Sequence, residues 1–160
     1  MNHRLTTIPN GTAGIIQTVK LMIKLARKYK TAPLIYSLSR KLTQDLPDKA
    51  YDMEVDRLYQ FVQNRIRYVK DILNVETLQT PIQTLKIRSG DCDDKATLLA
   101  SLCLSIGHPC RFVIVGHGGQ FYHVYVEVKV GQRWIPADAC EPLPLGQLKM
   151  YLPDKRVFHI

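Results

Sequence analysis

Residues 96–106 constrain the fold more than any other stretch of this sequence. If the stretch is helical, apolar side chains point in nearly every direction around its axis, and such a helix must be buried on most of its sides. Asp91 can cap its start, and Gly107 followed by Pro109 supplies a clear end. The sequence therefore predicts a central helix that begins near residue 92 and is surrounded by the other elements.

After Pro109 the hydrophobic pattern alternates with the period of a β-strand. We expect strands at residues 110–115, 121–130 and 133–139. The Gly131-Gln132 pair fits a two-residue hairpin turn with Val130 opposite Arg133. Continuing this register places His123 opposite Cys140 and makes Asp138 its diagonal neighbour, unless a slip or a bulge near Pro136 shifts the strands.

The N-terminal part of the chain has helical periodicity. We expect helices at residues 12–30, from Thr31 to the Leu46-Pro47 break, and at 53–68. Residues 69–89 would be mostly loop, with a turn at Thr80-Pro81 and at most one helical turn. The second helix would carry an apolar stripe of Leu34, Ile35, Leu38 and Leu42. The predicted fold class is α+β, with N-terminal helices and a central buried helix packed on a small antiparallel sheet. Residues 1–50 would form a basic helical extension and residues 51–160 the core.

The positive charge of the chain is concentrated at its N-terminal end. Residues 1–50 contain nine Lys or Arg and only two Asp, whereas the formal net charge of the whole chain is +8. Such a basic face can bind nucleic acid, an anionic membrane surface or an acidic protein, although a merely solvated face is more common. We expect contact with an acidic protein or nucleic acid as the candidate partner role of these helices.

Two further features bear on where the protein acts. The sequence has no apolar run near the ~20 residues that cross a bilayer, and residues 1–10 lack the pattern of a secretory signal. Its four cysteines, at irregular spacings without a C-x-x-C pair, predict reduced thiols rather than a zinc ribbon. A cytoplasmic protein without a membrane span is the expectation.

Cys92, His123 and Asp138 supply a thiol, an imidazole and a carboxylate in that order. A cysteine is a good nucleophile only as thiolate, and an imidazole oriented by a carboxylate commonly takes its proton. The start of a helix favours the thiolate through the helix dipole, whereas Asp93 and Asp94 oppose it, so a protonated His123 would be needed.

These residues also allow other interpretations. His117, in a glycine-rich loop, is a rival base, and a free cysteine is most often an ordinary core residue. Cys92, His123, Asp138 and Cys140 would also suit one metal ion, but their spacings differ from those of compact zinc motifs. We expect no metal and no cofactor.

Several of these segments together resemble a known family. They are Gly90-Asp-Cys-Asp-Asp-Lys95, the strand at 110–115, His123-Val-Tyr-Val-Glu-Val128 and Trp134-Ile-Pro-Ala-Asp138. They resemble the transglutaminase-like core of the papain-like cysteine enzymes over about residues 54–141. More narrowly, Ile66-Arg-Tyr-Val69 and Leu78-Gln-Thr-Pro81 resemble small transglutaminase-like proteins of tailed phages and prophages.

The resemblance implies roles for single residues. Cys92 would be the nucleophile, His123 the general base and acid, and Asp138 the group that orients the imidazole. The oxyanion would be held by the backbone N–H of Cys92 and by one upstream donor, for which Tyr68 and Gln79 are the candidates. The family often has a longer strand set after the aspartate, so part of the substrate-binding structure is expected to be missing or supplied by a partner.

The predicted function is therefore a cysteine-dependent acyl transfer on amide or peptide bonds, acting as a protease, an amidase or a transglutaminase. The alternative is a non-catalytic structural or assembly module with the same fold. A phage-encoded protein would act in the host cytoplasm or in the virion.

Overall fold

The structure is a computed structural model that describes residues 11–70 and 77–160. Within these ranges it contains five helices and six short strands. In chain order they are α1 Thr12–Tyr29, α2 Pro33–Thr43, α3 Tyr51–Arg65, β1 Arg67–Tyr68, α4 Pro81–Ile87, β2 Ser89–Gly90, α5 Cys92–Ser105, β3 Cys110–His117, β4 Gln120–Val130, β5 Arg133–Ala137 and β6 Asp154–His159. The predicted α+β class is confirmed.

The helix predicted to be central is α5. Ten consecutive residues of this helix, 94–103, are buried, and Leu98, Leu99 and Leu102 have no exposed surface. Helices α1, α2 and α3 pack around α5, and the sheet covers it from the other side through β3 and β4. The apolar residues of α1 and α2 belong to the same core as those of α5, so the basic helices bury one face while their lysines and arginines lie outside.

The main sheet is antiparallel, with the strand order β5-β4-β3-β6. The predicted hairpin is present, since Val130 pairs with Arg133 across the turn, and the ladder between β4 and β5 ends at the Val126–Ala137 pair. Beyond that pair, the edge of β4 at His123 is not covered by β5. A bulge lies at Val115/Gly116 rather than near Pro136. A Cβ at Gly116 would lie 1.7 Å from the carbonyl oxygen of Gln120, so this close approach requires glycine.

Three predictions about helices need correction. Helix α3 ends at Arg65, three residues before the predicted end at residue 68, and the buried Ile66 that continued the apolar period is extended. The expected loop contains α4 and β2, because Thr80 is an N-cap whose hydroxyl accepts from the Gln83 N–H, with Pro81 in the first turn. Leu34 of the expected apolar stripe is 51% exposed, whereas Ile35 is buried.

Strand β6 was not predicted from the sequence. It pairs with β3 from Arg111–His159 to Gly116–Asp154 and closes the outer edge of the sheet. Lys155 of β6 and Arg111 of β3 both bind the buried carboxylate of Glu127. The consecutive charged residues Asp154, Lys155 and Arg156 hide this strand in the sequence. Of its two apolar residues, Phe158 packs against the core and Val157 is 38% exposed. The chain after Asp138 therefore adds a strand to the sheet.

In the described ranges, no helix combines the length and apolar character that a membrane crossing requires. The expectation about residues 1–10, and the middle of the predicted loop at 71–76, lie outside the described residues.

Candidate active site

The N-terminus of α5 presents Cys92 as the first helical residue. The carboxylate of Asp91 accepts hydrogen bonds from the backbone N–H groups of Asp93 and Asp94, at 3.0 and 3.2 Å. The first N–H groups of a helix have no partner within the helix, and this cap satisfies two of them. Among the described residues, no acceptor is bonded to the N–H of Cys92. That N–H remains available to a ligand next to the sulfur.

Asp94 has a structural part beside the thiol. Its carboxylate completes the capping box by accepting from the Asp91 N–H at 3.3 Å, and it also accepts from the Gln79 N–H at 2.8 Å. Gly90 makes room for it, since a Cβ at Gly90 would lie 2.6 Å from the Cβ of Asp94. These contacts fix the turn that aims Cys92, and Asp94 thereby ties the start of α4 to the start of α5.

His123 and Asp138 are in direct contact. The Nε2 atom of His123 lies 2.7 Å from Oδ2 of Asp138, and the second carboxylate oxygen accepts from the Cys140 N–H at 3.2 Å. The Asp138 side chain is 6% exposed and that of His123 is 25% exposed. Burial opposes protonation of the imidazole, but the hydrogen bond and charge of Asp138 outweigh it and raise the pKa of His123. The contact expected from the strand register is therefore present.

Two residues of α3, which the sequence reading did not single out, hold the loop that carries Asp138. The Tyr59 hydroxyl lies 2.8 Å from the Leu143 carbonyl and 3.1 Å from that of Asp138. The side-chain amide of Gln63 lies 2.6 Å from the Glu141 carbonyl and 2.7 Å from that of Leu143. Their spacing of four residues puts both on one face of the helix. Only this i, i+4 pair of polar residues in an otherwise apolar face could have signalled the role.

The electrostatic surroundings of Cys92 differ from the expectation. We expected the helix dipole to lower its pKa, with Asp93 and Asp94 opposing. In the structure burial is the largest influence, followed by the charges of Asp93 and Asp91, and the pKa of Cys92 is raised well above its ordinary value. A hydrogen bond from the Val124 N–H, on the open edge of β4, acts in the opposite direction. The thiol itself lies 3.5 Å from a carboxylate oxygen of Asp93.

The two upstream oxyanion candidates are placed differently. Burial and then the charge on Cys92 raise the pKa of Tyr68 to about 12, so its hydroxyl lies within electrostatic range of the sulfur and stays protonated at neutral pH. The backbone of Gln79 is bound by Asp94, and its side-chain oxygen lies 3.5 Å from the Thr84 hydroxyl. Of the two candidates, Tyr68 is the one whose pKa responds to the charge of Cys92.

The remaining candidates lie elsewhere or form a different group. His117 is exposed at the end of β3. Cys140 lies within electrostatic range of Cys92, and all four cysteines are free thiols. The described residues whose ligand atoms approach one another closely enough for a metal are Asp91, Cys92 and Asp93, not the alternative set of Cys92, His123, Asp138 and Cys140 that the sequence disfavoured. The two carboxylates of that group have hydrogen-bonding roles around the thiol.

Comparison with known proteins places this arrangement in a family. The model of the transglutaminase-like superfamily core matches residues 36–139, which span α5, the strands β3 to β5 and all three residues Cys92, His123 and Asp138. The chain belongs to the transglutaminase-like superfamily. A search of the curated proteins found no match.

Solved structures support the fold of this transglutaminase-like chain. A candidate cysteine protease from Cytophaga hutchinsonii is 19% identical with a TM-score of 0.59, and the match covers 82% of this chain and 47% of that one. A candidate protease from Parabacteroides distasonis is 12% identical with a TM-score of 0.65, over 89% of this chain and 32% of that one. The chain thus spans less than half the length of either structure, and at these identities the likeness concerns the fold alone.

Proposed function

We propose that this transglutaminase-like protein is a cysteine-dependent acyl-transfer enzyme that acts on amide or peptide bonds, with Cys92 as nucleophile, His123 as base and acid, and Asp138 as the orienting group. The observation that carries the proposal is the 2.7 Å contact between His123 Nε2 and a buried Asp138 carboxylate, on strand β4, which packs against the helix that begins with Cys92. Because Nε2 is occupied, Nδ1 is the ring nitrogen left to exchange a proton with the thiol.

The proposed reaction has two steps. The Cys92 proton passes to His123, the thiolate attacks the amide carbonyl, and the imidazolium returns the proton to the departing amine, which leaves a thioester. Water or a second amine then attacks the thioester while His123 takes its proton, the acyl C–S bond breaks to release the acid or the new amide, and His123 returns the proton to the departing Cys92 thiolate. The raised pKa of His123 favours the imidazolium that the first step needs. Since Cys92 is surrounded by acidic groups, that imidazolium is the cation that would stabilise its thiolate.

The proposed oxyanion donors are the N–H of Cys92 and the hydroxyl of Tyr68. The capping arrangement supports the first, because Asp91 binds the two following N–H groups and leaves that of Cys92 for a ligand. Removing a single oxyanion donor typically costs a factor of about 10² to 10³ in turnover. We expect Tyr68→Phe to lose activity in this range while the protein remains folded.

Turnover of a peptide mixture tests the proposal. Release of new amines or formation of new amide bonds, followed by mass spectrometry, would show hydrolysis or transamidation. Cys92→Ala should abolish both, whereas Cys103→Ala, which removes a buried thiol from the same helix, should retain activity. Activity that persists in Cys92→Ala would contradict the assignment and favour the non-catalytic module.

Three narrower predictions stay predictions. They are the likeness to phage-type proteins, the cytoplasmic or virion location, and contact of the basic helices with nucleic acid or an acidic protein. The last is supported by the exposed lysines and arginines of α1 and α2, a region with no acidic residue before Asp45. Affinity for a polyanion that did not fall with rising salt would contradict it.

A further inference from the structure

A cationic cavity of about 360 Å³ is lined by Lys95 of α5, three residues after the proposed nucleophile. The rest of its wall comes from the end of α3, strand β1, the residue after α4 and the loop after β5. Its charged lining residues are Arg65, Arg67, Arg88, Lys95 and Glu141. Glu141 already has a cationic partner, because its carboxylate lies 3.3 Å from the Lys149 ammonium.

The wall of this cavity is joined to Cys92 through the backbone. Tyr68, in the wall, pairs with Gly90, two residues before the nucleophile. Lys95 follows Cys92 by three residues on α5, a spacing that brings Cβ atoms to about 5–6 Å. Cys140, also in the wall, binds the carboxylate of Asp138 through its N–H. A substrate group in this cavity would therefore lie next to the acyl group attacked by Cys92.

Lys95 supplies an uncommitted donor inside the cavity. The residue is only 2% exposed, and its ammonium donates one hydrogen bond, of 2.7 Å, to the Ile66 carbonyl. An ammonium has three N–H donors. Among residues 11–70 and 77–160 no second acceptor is bonded to it. A buried charged donor that lacks acceptors is costly unless a ligand or solvent supplies them.

The arginines at the solvent side of the cavity also lack a carboxylate partner. Arg65, Arg67 and Arg88 are exposed, and none forms an ion pair with a carboxylate in the described parts of the chain. Arg88 also has a left-handed backbone, with φ of 53°, at the end of α4, where glycine is the usual residue. A bulky residue in this conformation is strained, and such strain is found preferentially at functional positions.

We propose that this cavity binds a carboxylate of the substrate, so that the enzyme acts on acidic peptides. This inference rests on the proposed function, but the binding experiment that tests it does not require turnover. Guanidinium groups bind carboxylates through paired hydrogen bonds, and Lys95 adds a charged donor at the buried end. Asp91 and Asp93 surround the thiol, so the carboxylate belongs on the arginine side rather than at the sulfur. It is either an acidic side chain or the terminal carboxylate of the peptide.

Peptide binding to the Cys92→Ala protein tests the proposal without turnover. Fluorescence anisotropy would compare three labelled peptides of one length: one with a central Glu and an amidated end, the same peptide with Gln, and the Gln peptide with a free terminal carboxylate. We expect one carboxylate peptide to bind about tenfold or more tightly than the amidated Gln peptide, which is the range of a charge-assisted hydrogen bond. Which one binds identifies the source of the carboxylate. Equal binding of all three would overturn the proposal.

Variants locate the site. In the same Cys92→Ala background, Lys95→Met and Arg67→Gln should each lose most of the preference for the carboxylate. Arg88→Gly should weaken it while raising the melting temperature, because glycine relieves the left-handed strain. The control is Arg133→Gln, an exposed arginine in the distant hairpin, which should leave the preference unchanged. Should Lys95→Met fail to fold, Arg67→Gln decides. A preference that survives Arg67→Gln, or one that falls equally in Arg133→Gln, overturns the site.

Failure of this inference is separable from failure of the proposed function. If Cys92 is unreactive but the carboxylate peptide binds through Arg67, the cavity is a binding site and the enzymatic function is wrong. If Cys92 is reactive but all three peptides bind equally, the enzymatic function stands and the cavity assignment is wrong. In the wild-type protein the bound carboxylate peptide should also slow alkylation of Cys92, and absence of this protection would contradict the position of the cavity beside the nucleophile.

Discussion

Replacing Tyr59 with phenylalanine removes a single oxygen atom from the contact between α3 and the loop that carries Asp138. That oxygen has one proton, given to the nearer carbonyl of Leu143 at 2.8 Å, and it accepts from the Gln63 amide at 3.0 Å. The residue is 1% exposed, and burial followed by the charge of Asp138 raises its pKa to about 12. The hydroxyl therefore acts as a neutral donor throughout the pH range of interest.

The magnitude follows from what each partner keeps. In Tyr59→Phe the Leu143 carbonyl retains the Gln63 amide at 2.7 Å, so no buried carbonyl there loses every donor. The cost is then about 0.5–1.5 kcal/mol, the range of one net hydrogen bond, rather than the full penalty of an unsatisfied buried group. For a chain of this length that corresponds to a melting temperature lower by about 1–6 °C. Gln63→Leu alone similarly leaves the carbonyl its Tyr59 donor.

The double variant separates this account from simple loss of packing. With both donors gone, the Leu143 carbonyl has neither, so Tyr59→Phe/Gln63→Leu should cost more than the sum of the single variants, by about 0.5–3 kcal/mol. Urea unfolding of the four proteins measures this coupling, and Tyr36→Phe, a change at a half-exposed tyrosine of α2, is the matched control. Additive losses, or a Tyr59→Phe protein as stable as Tyr36→Phe, would refute the reasoning.

Two further predictions concern the groups on either side of the site. Gly90→Ala should lower the free energy of unfolding by about 1–3 kcal/mol, because its Cβ would overlap the Asp94 side chain that closes the capping box, and an unchanged urea midpoint would contradict this. Asp138→Asn should lower the pKa of His123, measured by NMR titration of its ring protons and assigned with His123→Ala. Because the folded pKa of His123 is raised, its contribution to stability is complete below the unfolded pKa of ~6.5 and is lost as pH rises through the folded pKa. The Asn variant should lose that pH dependence, and an unshifted His123 titration would count against the contact.

Features that depend on local hydrophobic periodicity and on short loops could be predicted from the sequence. The buried helix α5 with its Asp91 cap and the hairpin register were predictable because neighbouring residues determine them, and the register in turn brought Asp138 to His123. The end of α3 could not be predicted in this way. Ile66 is extended and buried, but its apolar side chain would also continue the apolar face of a helix, so the sequence pattern fits both backbones.

The electrostatics of the site depended on tertiary structure in the same way. The helix start did predict a favourable dipole at Cys92. Burial of the thiol is set by packing, and it prevailed together with the charges of the neighbouring Asp93 and Asp91. The hydrogen bonds from Tyr59 to the loop after β5, and the cavity around Lys95, join residues about 30 to 85 positions apart in the chain. No local sequence pattern therefore marks them. Strand β6 escaped prediction because its partner β3, not its own composition, stabilises it.

The pH dependence of alkylation at Cys92, resolved by peptide mapping in the intact protein and in His123→Ala, tests the central claim most directly. We expect Cys92 of the intact protein to react at a lower pH than Cys92 of His123→Ala, because a protonated His123 stabilises the thiolate against the burial and acidic neighbours that raise its pKa. In His123→Ala the burial and acidic neighbours of Cys92 should move its reaction to a pH above that of a free thiol. Cys103, a fully buried thiol of the same helix mapped in the same digest, serves as the internal control for unfolding. The same profile for Cys92 in both proteins would contradict a thiolate–imidazolium pair and with it the proposed catalysis.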